Sequence, residues 1–173
     1  MGPVLDLGRT RDKDYTHDRF PVRMPLDGAF RFRFPKNWLI GILVPNILVG
    51  LNAENDALFW DSILPLPEQR SMLAAHAMLQ YIIVAIKQAS LQILNQGLKL
   101  YNQSGAKPEE WSLQPQEVHD MRQFLQQSGY EPILSSVGPS IVIFGDHTLR
   151  NFIKESDIAF SKWRIIYTKG ATK

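Results

Sequence analysis

The feature that most restricts what this chain folds into is a double change in the spacing of its apolar residues. Leu39-Ile-Gly-Ile-Leu-Val44 runs without a break up to Pro45, too short for a helix and suited to a buried strand. Between Pro67 and Pro108 the period changes: Met72, Leu79, Ile82, Ile83, Ile86, Ile93 and Leu94 recur at helical steps. The stretch exceeds a usual globular helix and divides near Gln88–Ser90, where the Ser90 hydroxyl can cap a second helix. This predicts helices over about 68–87 and 90–103. A third begins at Pro115, buries Val118, Met121, Phe124 and Leu125, and stops at Gly129. The pattern then reverts to short apolar runs, Ile141-Val-Ile-Phe144 and Trp163-Arg-Ile-Ile-Tyr-Thr168, read as strands. Between them, Asp146 is a candidate cap for a helix burying Leu149, Phe152 and Ile153.

Strands, then three helices, then strand, helix and strand define an α+β class: a small, mostly antiparallel sheet covered on one face by helices. Upstream, residues 2–28 mix Gly, Pro and charges of both signs with no sustained period, which predicts a loop or arm with one short strand at Val4–Leu7. Phe30, Phe32 and Phe34 alternate with Arg31 and Arg33, as in a half-exposed strand whose aromatic face packs into the core. The expected organisation is therefore an arm over 1–28 and one domain over 29–173, within the usual size of a single domain.

Charge and residue usage remove several functions. Nineteen Lys and Arg against seventeen Asp and Glu leave a net charge of +2, which gives no general drive toward nucleic acid or an acidic membrane. The chain has no cysteine and four scattered histidines, so no disulfide framework, thiol nucleophile or metal cluster is expected. No apolar run approaches the roughly 20 residues that span a bilayer. A soluble protein of a reducing cytoplasm is expected.

The segment with most chemistry is Ser135-Ser-Val-Gly-Pro-Ser140, which leads directly into a predicted strand. A small hydroxyl-rich turn can aim backbone N–H groups and the hydroxyls of Ser135, Ser136 and Ser140 at one anion, with Gly138 allowing close approach or a positive φ. The same composition also suits an ordinary helix-to-strand turn. It lacks the Gly-Lys-Ser/Thr ending of a Walker loop, the dinucleotide fingerprint and the Gly-x-Ser-x-Gly elbow. Asp6, in a Gly- and Pro-rich stretch, is a second candidate, able to orient a magnesium–pyrophosphate group or simply to form a turn. Arg9, Arg11 and Lys13 alternate with Asp12 and Asp14, the pattern of a solvated loop. His76, His119 and His147 show no ligand spacing, and no catalytic residue is assigned.

Several stretches, taken in order, resemble the C-terminal half of the archaeal-type beta-ribofuranosylaminobenzene 5'-phosphate synthase family of the GHMP kinase superfamily. They are Gly2-Pro-Val-Leu-Asp-Leu-Gly8; Phe34-Pro-Lys-Asn-Trp38 followed by Ile42-Leu-Val-Pro45; Gly50-Leu with Glu54 and Phe59; Pro65-Leu-Pro67; the Ser135–Ser140 turn; and Thr168-Lys-Gly-Ala171. Collinear order over nearly the whole chain carries the resemblance. Val137 stands where that family has an aromatic, and Ser140 where it has Thr. The resemblance implies a GHMP C-terminal-domain-like fold, with phosphoribosyl pyrophosphate and its Mg2+ as ligands. It also implies a reaction joining that substrate to 4-hydroxybenzoate, with loss of carbon dioxide and pyrophosphate, toward methanopterin. The chain starts about where the family's second half starts, so the expected partner is a separately encoded N-terminal half or a second copy. The alternative is a non-catalytic binding or dimerisation module.

Overall fold

The computed structural model describes residues 33–46, 50 and 53–170. The expected arm over 1–28, the strand at Val4–Leu7, Arg9, Arg11, Lys13 and Asp6 lie outside the described residues. So do residues 30–32, while Arg33 and Phe34 are not part of a strand.

The apolar run becomes the central strand β1 (Leu39–Pro45). It is paired on both sides, antiparallel to β3 (Ile141–Gly145) and to β4 (Trp163–Thr168), while the two-residue β2 (Ile133–Leu134) pairs with β3. The order is β2-β3-β1-β4. Register places Leu43 opposite Ile141 and Ile165, and Gly41 opposite Ile143 and Tyr167. Because side chains alternate along a strand, these residues share one face.

That face carries the main core. Leu39, Leu43, Leu134, Ile141, Ile143 and Trp163 pack with Trp111, Val118, Met121, Leu125, Leu149, Ile153 and Phe160. The covering helices are α5 (Lys107–Ser112), α6 (Gln116–Gln127), α7 (Leu149–Glu155) and α8 (Asp157–Phe160). Two of these were expected, the helix starting near Pro115 and the one burying Leu149, Phe152 and Ile153; Ser156 leaves helical dihedrals and separates the latter from α8. Ile133 and Phe144 point to the opposite face and pack on a second cluster of Trp38, Ala85, Leu94 and Leu98.

The long periodic stretch is α2 (Glu68–His76), one π-helical segment (Ala77–Ile82) and α3 (Ile83–Gln88), followed by α4 (Leu91–Tyr101). The break falls where expected. Ala89 adopts a left-handed conformation, and Ser90 Oγ accepts the Ile93 N–H at 3.3 Å. Gly129, with φ +87°, ends α6 as predicted. Asp146 is not the cap of α7. Thr148 holds that position, and Asp146 instead accepts the Thr148 N–H and hydroxyl at 2.9 and 2.7 Å in a turn two residues upstream. Those bonds hold the Asp146 carboxyl below its ordinary range. A helix that sequence periodicity did not reveal, α1 (Ala53–Ile63), follows β1. No described helix is long and apolar enough to cross a membrane.

Candidate functional site

The six residues Ser135–Ser140 connect β2 to β3 and close on themselves. Ser135 N–H donates to Ser140 O at 2.9 Å, and Gly138 N–H donates to Ser135 O at 3.1 Å. Two residues take left-handed dihedrals, Ser136 at φ +56° and Gly138 at φ +87°. The second explains the glycine, since a side chain is strained there. Ser135 and Ser136 are exposed, Ser140 is half-buried, and the Val137 side chain is buried. The N–H groups of Ser136, Val137 and Ser140 make no hydrogen bond among the described residues, and Pro139 has none to give.

The Ser136 and Val137 carbonyls of the same turn, and that of Leu134 before it, accept side-chain donors. Gln114 Nε2 donates to Val137 O at 2.7 Å and to Glu110 O at 2.8 Å. Lys107 Nζ makes longer contacts to Ser136 O at 3.4 Å and Leu134 O at 3.5 Å, and it is ion-paired with Glu110. Neither Lys107 nor Gln114 stands out in sequence: one precedes a Pro in a six-residue helix too short to show a period, and the other lies in a connection. Burial pushes the Glu110 carboxyl above its ordinary value. Lys107 opposes that rise, while Asp56 near the start of α1 and the neighbouring Glu109 add to it.

A third element closes on the turn. A Cβ placed on Gly50 would stand 3.0 Å from Gly138 O and 3.5 Å from Pro139 Cδ, so Gly50 lies directly against it. A Cβ on Gly138 would stand 2.5 Å from Gln114 Oε1. Gly138 is therefore fixed twice, by its dihedral and by the amide beneath it.

The structure brings Ser135, Ser136, Gly138 and Ser140 together with Gly50, Lys107 and Gln114. Among the described residues, none of the histidines hydrogen-bonds to this turn. His76 meets the Tyr81 ring edge-on at 5.6 Å, His119 lies over Trp111, and His147 is exposed beside Asp146. His76 and Gln80, with Tyr81, Val84, Ile93 and Gln96, line a shallow groove of about 560 Å3 at the π-helical segment. Among the described residues no group of three or more carboxylate or imidazole side chains is placed to hold a metal ion. These residues thus do not form a magnesium cage of their own.

No protein-family model matches the chain, and no curated protein matches it. Solved structures do match its shape. Homoserine kinase from Cytophaga hutchinsonii superposes with a TM-score of 0.58 at 13% identity, covering 83% of this chain and 44% of that one. Mevalonate kinase from L. major, solved with R-mevalonate, gives 0.59 at 16% identity over 84% of this chain and 46% of that one. Mevalonate pyrophosphate decarboxylase from Streptococcus pyogenes gives 0.52 at 13% identity, covering 85% and 49%. These similarities show the fold: the chain shares its α+β architecture, a small antiparallel sheet with helices, with part of each of these enzymes. The chain spans about half the length of the solved structures it matches.

Proposed function

We propose that this domain is the C-terminal half of a GHMP-superfamily enzyme and that its Ser135–Ser140 turn binds a phosphate or pyrophosphate group. The observation that carries the reading is the polarity of the turn. Its Ser136, Val137 and Ser140 N–H groups are unbonded among the described residues, beside two exposed hydroxyls, while the Leu134, Ser136 and Val137 carbonyls are taken up by side chains. Neighbouring free donors beside carbonyls that are already engaged suit an anion. The fold supports the reading, because the proteins that share it include two kinases and a pyrophosphate decarboxylase by name.

The sequence resemblance narrows the ligand to phosphoribosyl pyrophosphate and the reaction to its decarboxylating condensation with 4-hydroxybenzoate. In that reaction a carbon–carbon bond replaces the ribosyl–pyrophosphate bond, and carbon dioxide and pyrophosphate leave. In this reading the domain supplies one wall of the site and an N-terminal half the other. Asp6 is the candidate carboxylate toward a pyrophosphate-bound Mg2+, which would offset the negative charge of that group. The chain's own part is to hold the phosphate through Ser135, Ser136 and Ser140 and the turn amides.

The test is a titration of the whole chain with magnesium pyrophosphate and with phosphoribosyl pyrophosphate, followed through backbone amide shifts. Shifts concentrated at 135–140 are expected, with affinity near millimolar, about −4 kcal/mol. Ser135→Ala together with Ser136→Ala, both at exposed positions, should weaken binding by about 0.5–1.5 kcal/mol per neutral bond, or up to about 3 kcal/mol per bond to a charged group. If the turn amides do not move while the protein is folded, the non-catalytic module replaces this reading.

A further inference from the structure

The turn's six residues do not by themselves dictate which way its peptide groups face. In a trans peptide the C=O and the following N–H point in opposite directions, so whatever holds the Ser136 carbonyl also aims the Val137 N–H. The Ser136 carbonyl faces Lys107 Nζ at 3.4 Å, and the 136–137 peptide is trans. The Val137 N–H, unbonded among the described residues, is thereby directed away from α5. The peptides on either side are fixed by other bonds, since the Ser135 carbonyl accepts the Gly138 N–H and the Val137 carbonyl accepts from Gln114.

We infer that Lys107 is the positioning residue of the anion site: its buried ammonium holds the Ser136 carbonyl toward α5 and so presents the Val137 N–H to the ligand. This rests on the reading of the turn given above. The Lys107 side chain retains only 11% exposure, and its nitrogen reaches the Glu110 carboxylate and the carbonyls of Leu134 and Ser136. An ammonium so placed is an expensive way to fill space, because a buried ion pair is commonly no more stable than apolar residues of the same volume. Its position under the turn gives the charge a use. It neutralises carbonyl oxygens that would otherwise repel an anion, and the planar peptide converts that pull into an outward donor.

The experiment compares wild type, Lys107→Met, Lys107→Arg and the double variant Lys107→Met/Glu110→Leu, which leaves no unpaired buried carboxylate. Each is titrated with magnesium pyrophosphate while the amide resonances of 135–140 are followed, with circular dichroism as the folding control. Wild type should bind, and both Met variants should bind about tenfold more weakly, with the Val137 amide losing most of its shift, in line with loss of a charge-assisted contact. Lys107→Arg should restore the Val137 response. If Lys107→Met fails to fold, the double variant carries the comparison. Wild type that does not respond overturns the anion reading of the turn. Wild type that responds while the double variant binds equally well, or an Arg variant that rescues nothing, overturns the role of Lys107 and leaves the anion reading standing.

Discussion

The indole N–H of Trp111 donates to Asn102 Oδ1 at 3.0 Å, and the amide nitrogen of the same Asn102 gives its two hydrogens to Glu131 Oε1 and Pro132 O, both at 2.8 Å. One buried side chain therefore joins the end of α4, the helix α5 and the strand entry before β2. Gln126 adds bonds to the Glu131 carboxylate, and Arg122 stacks over the Trp111 ring at 4.1 Å. Burial lowers the Arg122 pKa, against the pull of Glu131.

Asn102→Ala should cost about 2–4 kcal/mol, because it deletes three bonds and strands the Trp111 N–H and part of the Glu131 carboxylate in the interior. Urea unfolding measures this. A loss below about 0.5 kcal/mol, the range of ordinary surface changes, would show that the network is dispensable.

Gly97 marks the contact between α4 and the π-helical segment. A Cβ there would stand 2.7 Å from Tyr81 Cβ and 3.0 Å from Ile82 Cγ1, and Tyr81 Cβ is fixed to backbone and cannot swing away. Gly97→Ala gains about 1 kcal/mol of helix propensity but forces overpacking that costs about 1–3 kcal/mol. A lower thermal midpoint is expected, and a higher one would mean that the helices separate easily.

Glu110 gives the pH dependence its sign. Its folded carboxyl titrates above the ordinary value of 4.5 because it is buried, so between those two values the folded protein holds a proton that the unfolded chain has released. The associated stability is present in full below 4.5 and is lost as pH rises through the folded value. Glu110→Gln should flatten that descent, as read from unfolding free energies collected across mildly acidic pH. Equal slopes for the two proteins would reject this assignment.

Gly50 lies against the turn without belonging to it. Gly50→Val should push on Gly138 O and weaken the pyrophosphate response of the 135–140 amides by several-fold, on the order of 1 kcal/mol, while far-UV circular dichroism stays unchanged. Undiminished shifts would place Gly50 outside the site.

The α+β class was legible because α6 and β1 each bury a stripe of their own: Val118, Met121 and Leu125 at helical spacing, Leu39, Gly41 and Leu43 at strand spacing. Gly129 and Ser90 marked their boundaries through local chemistry that needs no tertiary context. The elements that escaped are short or lack a strong stripe. β2 has two residues, and α5 has six, among them buried Lys107 and Glu110 in place of an apolar period. The Ser135–Ser140 turn was readable as a turn from residue type, and the positive φ at Gly138 agrees with the reason given for it. Gln114, Lys107 and Gly50 were not, since their relevance comes from distances across the fold. Asp146 was misplaced by two residues because Asp serves equally as a helix cap and as a turn former.

The carbonyls beneath the Ser135–Ser140 turn are held by Lys107 and Gln114, more than twenty residues earlier in the chain. The hexapeptide and its orientation are thus inherited separately. A related chain can keep every letter of Ser-Ser-Val-Gly-Pro-Ser and, with an apolar residue at 107 and a short one at 114, lose the two donors that turn its carbonyls toward α5. Conversely, the hydroxyls can drift while the backbone remains set by the helix. Alignments that score the turn alone will then group chains whose turns face in different directions, and positions 107 and 114 are the ones that tell them apart.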